Sequence, residues 1–454
     1  RIRNPTASHP RHRSSHGSNV PDYGGVCNVV KICIKNGRVI NPSTKYDKVS
    51  DVWIDGKKII SVGKKPTGFI AKKVIDATNR IVCPGFVDLG SYLQEPGYEH
   101  KATIASEAKA AAAGGFTSIC CMPKTNPVID TPAVVELIKE RARGIATPKI
   151  YCIGALTEGL KGQVLAEMSA LREIGCVGVS NAREAIQDTV VLKNSLEYAA
   201  SIDLTVFMSC EDPWLAKGGS MHDGLVSTKK GLIGIPSSAE LIALSKVLIL
   251  VEQTGAKVHF QALSAGRSVK YISDARQKGL PVSCDVSISH LNLCDKDIRD
   301  YDSNYHVRPP LRSRRDKSTL INGLKKRQID AISPHHEPQD ADSKATTFSS
   351  SEPGISSYDT FLSLLWALVR SGQLTESRAI ESVSCAPGRA LGKGDNGIIV
   401  GDVADICVFD PNLVWTTHSD NIVSRGKNTP FLNREMTGKV THTIADGQII
   451  YSRS

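Results

Sequence analysis

Eight short apolar runs alternate with amphipathic segments between residues 80 and 390 of the 454-residue chain. The segments between them, such as TIASEAKAAAAGG and SAELIALSKVLILVEQTG, have helical periodicity. Buried runs at this spacing are typical of parallel strands linked by helices. The sequence therefore predicts an α/β fold, a (β/α)8 barrel over residues 81–393, with any chemistry at the carboxyl ends of its strands. The runs are RIVCPGFVDL, FTSICCMP, KIYCIG, CVGVS, LTVFMSC, KVHFQAL, PVSCDV and IDAISP.

Both ends of the chain have a different pattern, in which apolar and polar residues alternate. It occurs in VVKICIKNGRVI and DVWIDGKKIISVG near the start, and in GDVADICVFD and VTHTIADGQIIYS near the end. The dipeptides Asn36-Gly37 and Asp55-Gly56 predict hairpin turns. We therefore expect residues 27–80 and 394–454 to form one small β-sandwich built from both ends of the chain.

Residues 1–26 differ in composition from the rest. They contain four arginines, three histidines and four serines against one acid, Asp22, and they show no apolar periodicity. This predicts a disordered basic leader. An arginine- and serine-rich, acid-poor leader is typical of a transit-peptide remnant, although an ordinary disordered tail fits as well. The expected location is therefore the cytoplasm or the mitochondrial matrix.

Charge and cysteine content narrow the classes of function. The chain has 56 Lys and Arg against 46 Asp and Glu, spread along its length, and 5% aromatic residues. No nucleic-acid-binding motif accompanies this mild basic excess, so nucleic-acid contact is only an alternative. The 12 cysteines form no CxxC pair, which predicts buried, reduced thiols. No apolar stretch reaches the roughly 18–20 residues of a membrane-spanning helix.

Several motifs resemble a known enzyme family. They are PGFVDLGSYLQEPGYEHKATI, AAAGGFTSICCMPKTNPVIDTP, SCEDPWL, HVRPPLR, SPHHEP and SRGKNTPFLNREMTGKVTHTIADGQIIY. In this order, over about residues 28–452, they resemble the dihydroorotases of the amidohydrolase superfamily and their allantoinase relatives. The resemblance implies a metal-dependent hydrolase barrel with a small β-sandwich. It also implies one or two divalent metals, which would activate water and polarise a carbonyl in pyrimidine biosynthesis.

The residues that this family uses to hold metal and substrate are replaced in this chain. Asp88 remains from the family's Asp-x-His-x-His-x-Arg motif, but the other matched positions have changed. Glycine and alanine carry no ligand atom, and asparagine and serine offer neither an anion nor an imidazole. We therefore predict a pseudoenzyme with no catalytic residue, no metal ligand and no zinc. The replaced positions are Gly90 and Tyr92 (for histidines), Gln94 (arginine), Lys124 (asparagine), Asn181 (a bridging carboxylate), Ser209 and Ala262 (histidines), Arg308 (asparagine) and His335 (the aspartate that is ligand and general base).

Two of the replacements add positive charge. Lys124 and Arg308 are candidates for anion contacts, or they pair with neighbouring carboxylates such as Glu211. His335 and His336 are adjacent, so on an extended strand they point to opposite faces and cannot easily share a metal.

The resemblance is stronger to the non-catalytic dihydroorotase-like chains that partner aspartate transcarbamoylase than to the active enzymes. It implies a structural or assembly subunit of a larger complex, either of the aspartate transcarbamoylase type or organellar, as a homodimer or a hetero-oligomer. Two alternatives stay open. One is an active dihydroorotase or cyclic-amide hydrolase that uses substitute ligands such as His335, and the other is a recruited structural subunit of an organellar ribonucleoprotein.

Overall fold

The computed structural model describes residues 30–144 and 147–453, so the predicted leader lies outside the described residues. The strands are β1 (Lys31–Asn41), β2 (Tyr46–Asp55), β3 (Lys58–Val62), β4 (Lys73–Asp76), β5 (Ile81–Pro84), β6 (Phe86–Ser91), β7 (Phe116–Cys121), β8 (Lys149–Ala155), β9 (Gly178–Ser180), β10 (Val206–Ser209), β11 (Met221–His222), β12 (Gly234–Ile235), β13 (Val258–Gln261), β14 (Val282–Ser287), β15 (Ala331–Ser333), β16 (Ile406–Thr416), β17 (Glu435–Ala445) and β18 (Gln448–Ser452). The helices are α1 (Ile104–Ala113), α2 (Pro132–Ala142), α3 (Met168–Glu173), α4 (Thr189–Ser201), α5 (Leu225–Lys230), α6 (Ser237–Thr254), α7 (Ser268–Gln277), α8 (Ile288–Asn292), α9 (Arg314–Lys325), α10 (Ala341–Lys344), α11 (Tyr358–Arg370), α12 (Glu376–Val383) and α13 (Cys385–Ala390).

The predicted barrel is confirmed. Its strands follow the order β6-β7-β8-β9-β10-β13-β14-β15, every neighbouring pair is parallel, and β15 returns beside β6. Each of the eight predicted runs overlaps one of these strands. The runs are almost wholly apolar because a barrel strand is covered by helices outside and by packed side chains inside.

The helices begin and end at residues that the sequence makes recognisable. Helix α1 starts at a capping box, in which the Thr103 hydroxyl accepts from the Ser106 N–H (3.1 Å) and the Ser106 hydroxyl accepts from the Thr103 N–H (3.0 Å). Helix α6 ends at Gly255, whose φ of +66° suits glycine. The predicted helical segments therefore lie where periodicity and caps place them.

The second sheet combines both ends of the chain, as expected. Its order is β18-β17-β16-β5-β1-β2-β3, with β4 beside β1. Strand β5 pairs with β16 on one edge and with β1 on the other, although the sequence placed residue 81 in the barrel. The first barrel strand begins at Phe86.

The expected hairpin turn at Asn36-Gly37 is wrong, whereas Asp55-Gly56 does join β2 to β3. Asn36 has a φ of +61°, but it lies within β1, where the register to β2 shifts between Ile34 and Gly37. The dipeptide therefore forms a β-bulge. On either side of the bulge β1 changes its parallel partner, from β4 to β5, because a bulge bends and twists the strand.

Two further expectations concern thiols and membranes. Within the described residues the cysteines are free, and all are buried except the half-buried Cys210. In the same part of the chain no helix has the length and apolar character needed to cross a membrane.

Candidate functional site

The replaced positions lie where a barrel places its chemistry, at the carboxyl ends of the strands. Gly90 is near the end of β6 and Ser209 ends β10, while Asn181 and Ala262 directly follow β9 and β13. Motifs that are far apart in the sequence therefore meet at one face of the barrel.

In the first barrel strand, a side chain at Gly90 would require those of Gln261 and Met122 to move. A Cβ atom added there would lie 2.5 Å from Nε2 of Gln261 and 2.9 Å from Sδ of Met122. Asp88, the retained acid, is buried and accepts hydrogen bonds from the Gly90 N–H (3.0 Å) and the Tyr358 hydroxyl (2.7 Å). Burial raises the pKa of Asp88. This carboxyl group is therefore part of the internal packing.

Tyr92 and Gln94, the next two replaced positions, also make hydrogen bonds within the protein. Tyr92 is buried, its N–H donates to the His336 carbonyl (3.0 Å), and burial raises the pKa of its phenol. The amide of Gln94 donates to the Pro338 carbonyl (3.0 Å). A neutral phenol is not a usual zinc ligand, so neither side chain replaces a lost histidine or arginine.

Arg183, which the sequence analysis did not single out, contacts several residues of this face. Its Nη2 donates to Nε2 of His335 (3.0 Å) and to Oε2 of Glu337 (2.7 Å), and Nη1 donates to Oε1 of Glu337 (3.2 Å). The guanidinium carbon also lies 4.9 Å from the centre of the Tyr92 ring, a cation–π distance. The signal in the sequence was an arginine two residues after Asn181.

His335 is held uncharged by this arrangement. A guanidinium can only donate, so the lone pair of His335 Nε2 accepts from Arg183 and is unavailable to a metal. Burial, together with Arg183 and His290, lowers the pKa of His335 to about 3. His336 points elsewhere, as predicted: its Nε2 lies 2.8 Å from Oε2 of Glu107 and its Nδ1 accepts from the Ser357 N–H.

The two candidate anion contacts both pair with carboxylates. Lys124 Nζ lies 2.8 Å from Oε1 of Glu184, and Arg308 Nε lies 2.7 Å from Oε1 of Glu211. For Arg308 this is the alternative considered from the sequence. An incoming anion would have to compete with Glu184 or Glu211.

The remaining positions make internal hydrogen bonds or line a small cavity. Asn181 Oδ1 accepts from the Thr157 hydroxyl (2.7 Å), its amide donates to the Glu184 carbonyl (2.8 Å), and the Ala262 N–H donates to Asp285 (2.7 Å). The cavity has a volume of about 20 Å³, enough for about one water molecule. Its lining comprises Arg183, Ser209, Cys210, Glu211, Glu240, Gln261, Ala262, Leu263, Arg308 and Pro309.

These residues do not fit the metal centre that the resemblance implies. Within residues 30–144 and 147–453, no group of three or more His, Cys, Asp or Glu side chains is placed to hold a metal ion. The one imidazole at a former ligand position already accepts from a cation, and a fixed positive charge beside it opposes a divalent ion. The donor set is therefore unsuited to zinc.

Solved structures define the class of the fold. L-hydantoinase from Arthrobacter aurescens superimposes with a TM-score of 0.83 at 20% identity, over 94% of this chain and 97% of that chain. Dihydropyrimidinase from Brevibacillus agri gives a TM-score of 0.80 at 22% identity, over 93% and 95%. The fold is thus the one that these two structures share, a (β/α)8 barrel with a small sheet domain.

Sequence relatives define the family more closely. The family described as "Dihydro-orotase-like" matches residues 79–268. A "Dihydroorotase-like protein" of Pseudomonas aeruginosa is 42% identical over 92% of this chain and 99% of that protein. A "Dihydroorotase" of Geobacter metallireducens is 37% identical over 93% and 100%. The chain belongs to the dihydroorotase-like family.

Proposed function

We propose that the chain is a catalytically inactive member of this family and acts as a structural subunit of a larger protein assembly. The observation that carries the proposal is the place of Arg183, bonded to His335 and Glu337 among the former ligand positions. Hydrolysis of a cyclic amide at neutral pH needs an activated water and a polarised carbonyl, which metals supply in this family. A guanidinium stabilises negative charge, but it cannot bind and ionise water as a metal does.

The size of the cavity supports the same proposal. Its volume of about 20 Å³ is far below the 300–1,000 Å³ of typical ligand pockets. Of the charged side chains around it, Arg308 pairs with Glu211 and Arg183 pairs with Glu337, so a substrate would have to break Arg308–Glu211 to enter. A ring substrate has no space there.

A complete scaffold with a filled site is suited to a role that uses its surface. The relative of P. aeruginosa aligns over 99% of its length, so both the barrel and the terminal sheet are retained. Aspartate transcarbamoylase is the first partner to test, in the cytoplasm or the mitochondrial matrix, because the sequence resembles the non-catalytic chains that assemble with it.

The test compares the purified full chain with the G. metallireducens dihydroorotase, prepared in parallel. We expect much less than one equivalent of zinc by elemental analysis and no hydrolysis of dihydroorotate above buffer. Bound zinc near one or two equivalents, with hydrolysis that is lost on chelation, would contradict the proposal. In cell extracts the native chain should migrate well above the mass of a dimer.

The alternatives predict different results. If His335 were a substitute ligand, the His335→Ala variant would lose an activity that the wild type shows. If the assembly were a ribonucleoprotein, nuclease treatment would lower its native mass, whereas a protein assembly would keep it.

A further inference from the structure

The connection between β10 and α6, residues 211–236, carries an unusual group of exposed apolar side chains. Trp214 is 70% exposed, whereas Trp53, Trp366 and Trp415 are at most 9% exposed. Leu225 and Ile233 are 68% and 62% exposed, and Leu215 is partly exposed on the same segment. Tyr301 joins this segment from a later loop, since its hydroxyl donates to the Lys230 carbonyl (3.0 Å). We call residues 211–236 with Tyr301 the 214–233 lobe.

The 214–233 lobe is held in a fixed shape. Asp212 accepts from the N–H groups of Trp214 (3.1 Å) and Leu215 (2.9 Å), and its own N–H donates to the Ala239 carbonyl (2.9 Å). Strands β11 and β12 pair inside the lobe, and the Ser220 N–H donates to the Ile233 carbonyl (3.1 Å). Because these contacts already order the backbone of the lobe, binding a partner there costs little backbone entropy.

Lysines accompany the apolar side chains. Lys217 Nζ lies 5.8 Å from the centre of the Trp214 ring, and Lys230 Nζ lies 4.5 Å from that of Tyr301. Within residues 30–144 and 147–453, neither these two lysines nor Lys229 forms a salt bridge. Of the acids on the lobe, Glu211 pairs with Arg308 and Asp212 caps the turn, which leaves a positive excess beside Asp223.

We propose that the 214–233 lobe is a docking surface for a second protein, whose contacting face is apolar and bordered by carboxylates. This inference rests on the proposed structural role. Exposed tryptophan and tyrosine are typical of the residues that contribute most to protein interfaces, and the lysines beside them favour a partner with carboxylates. The exposed leucines and isoleucine favour a protein over nucleic acid, because aliphatic side chains offer nothing to phosphates and stack poorly on bases.

The test uses the native complex that contains the full chain. The variant Leu225→Ser/Ile233→Ser removes two exposed anchors, and Val190→Ser/Ile249→Ser is the matched control on α4 and α6, where those residues are 64% and 59% exposed. Both variants should keep the thermal stability of the wild type. We expect the lobe variant to dissociate at least tenfold more readily from the complex, and the control to remain assembled.

A second variant tests the charge, and a cross-link identifies the partner. Lys229→Glu/Lys230→Glu should weaken the complex and reduce its dependence on salt. A photo-reactive residue at position 214 should cross-link to a protein segment that contains apolar residues and carboxylates. Cross-links only to RNA or to a second copy of this chain would overturn the docking proposal, as would unchanged binding by the lobe variant. A wild-type chain found alone in extracts would instead overturn the proposed function.

Discussion

At the scale of single residues, the charged side chains around the replaced positions form pairs with one another. Three cation–carboxylate pairs lie at the mouth of the barrel: Arg183–Glu337, Arg308–Glu211 and Lys124–Glu184. Their exposure differs, since the side chains of the first pair are 16% and 11% exposed and those of the last are both 48% exposed. Breaking a buried pair leaves one charge buried without a partner. A charge left by breaking an exposed pair is solvated by water.

Arg183→Met should therefore destabilise the fold strongly. Glu337 would lose its bidentate partner, and the expected loss is about 3 kcal/mol in the free energy of unfolding, measured with urea. The matched control Lys124→Met removes an exposed partner and should cost less than about 1 kcal/mol. Equal losses of unfolding free energy in the two variants would show that burial does not increase the contribution of the Arg183–Glu337 pair to stability.

Three buried histidines should make stability depend on pH. Burial lowers the pKa of His290 and of His306 to about 4, and burial with Arg183 lowers that of His335 to about 3. In the unfolded chain a histidine has a pKa of about 6.5. The stability they support is thus complete above pH 6.5 and falls as the pH drops toward 4, by about 2 kcal/mol for each histidine at pH 5.

The contribution of His290 can be isolated. Urea unfolding of the His290→Gln variant between pH 7 and 5 should show a shallower decline than the wild type, whatever its absolute stability. His100→Gln changes a side chain that is 62% exposed and should leave the slope unchanged. If the stability of His290→Gln fell with pH as steeply as that of the wild type, the pH dependence could not be assigned to His290.

At the scale of elements, the sequence predicted most of the helices and strands that depend on patterns among neighbouring residues. The eight strands of the barrel overlap the predicted apolar runs, which are patterns among neighbouring residues. The predicted hairpin turn at Asn36-Gly37 was wrong because a positive φ suits a turn and a bulge equally well. Which one forms depends on strands β4 and β5, which lie far along the chain.

The site also combines residues that sequence motifs indicated with contacts that only the folded structure reveals. The motifs indicated the nine replaced positions, and the structure places four of them, Gly90, Asn181, Ser209 and Ala262, at or directly after the ends of barrel strands. The pair Arg183–Glu337 joins residues 154 positions apart, and only closure of the barrel sets that contact. Glu337 lies in the SPHHEP motif, but no motif indicated Arg183 as its partner.

A buried carboxylate links three separate elements and gives a prediction at this scale. Glu107 of α1 contacts His336 after β15 (2.8 Å), and it accepts from the Ser424 hydroxyl (2.6 Å) and the Arg425 N–H (3.1 Å). Glu107→Gln replaces one acceptor oxygen with a donor, which leaves buried donors unpaired. We expect a loss of about 2–3 kcal/mol in unfolding free energy. The control Glu136→Gln changes an exposed residue of α2 and should leave the unfolding free energy nearly unchanged. A similar loss in that variant would show that the loss of charge alone, and not the broken hydrogen bonds of Glu107, causes the effect.

At the scale of the whole molecule, the largest apolar cluster is separate from the replaced positions, although Tyr92 belongs to a smaller cluster within the barrel. The largest cluster of buried apolar residues, which includes Phe86, Phe116 and Phe361, contains none of the nine replaced positions. The rings of Phe116 and Phe361 lie 5.0 Å apart near the base of the barrel wall formed by β6, β7 and α11. Stability that comes from this cluster does not require a metal, so the ligands can change while the fold persists.

The melting temperature should consequently be independent of metal. A folded state that binds zinc selectively gains about 2.7 kcal/mol when the free metal is at one hundred times its Kd, and chelation removes that gain. Treatment of the native chain with EDTA, followed by dialysis, should shift its melting temperature by less than about 1 °C, and added zinc should not raise it. Gly90→His/Tyr92→His, which restores two family ligands, should gain no stabilisation from zinc either, because a side chain at position 90 meets Gln261 and Arg183 still occupies His335. A zinc-dependent rise of several degrees in the native chain would mean that its donors do assemble a metal centre.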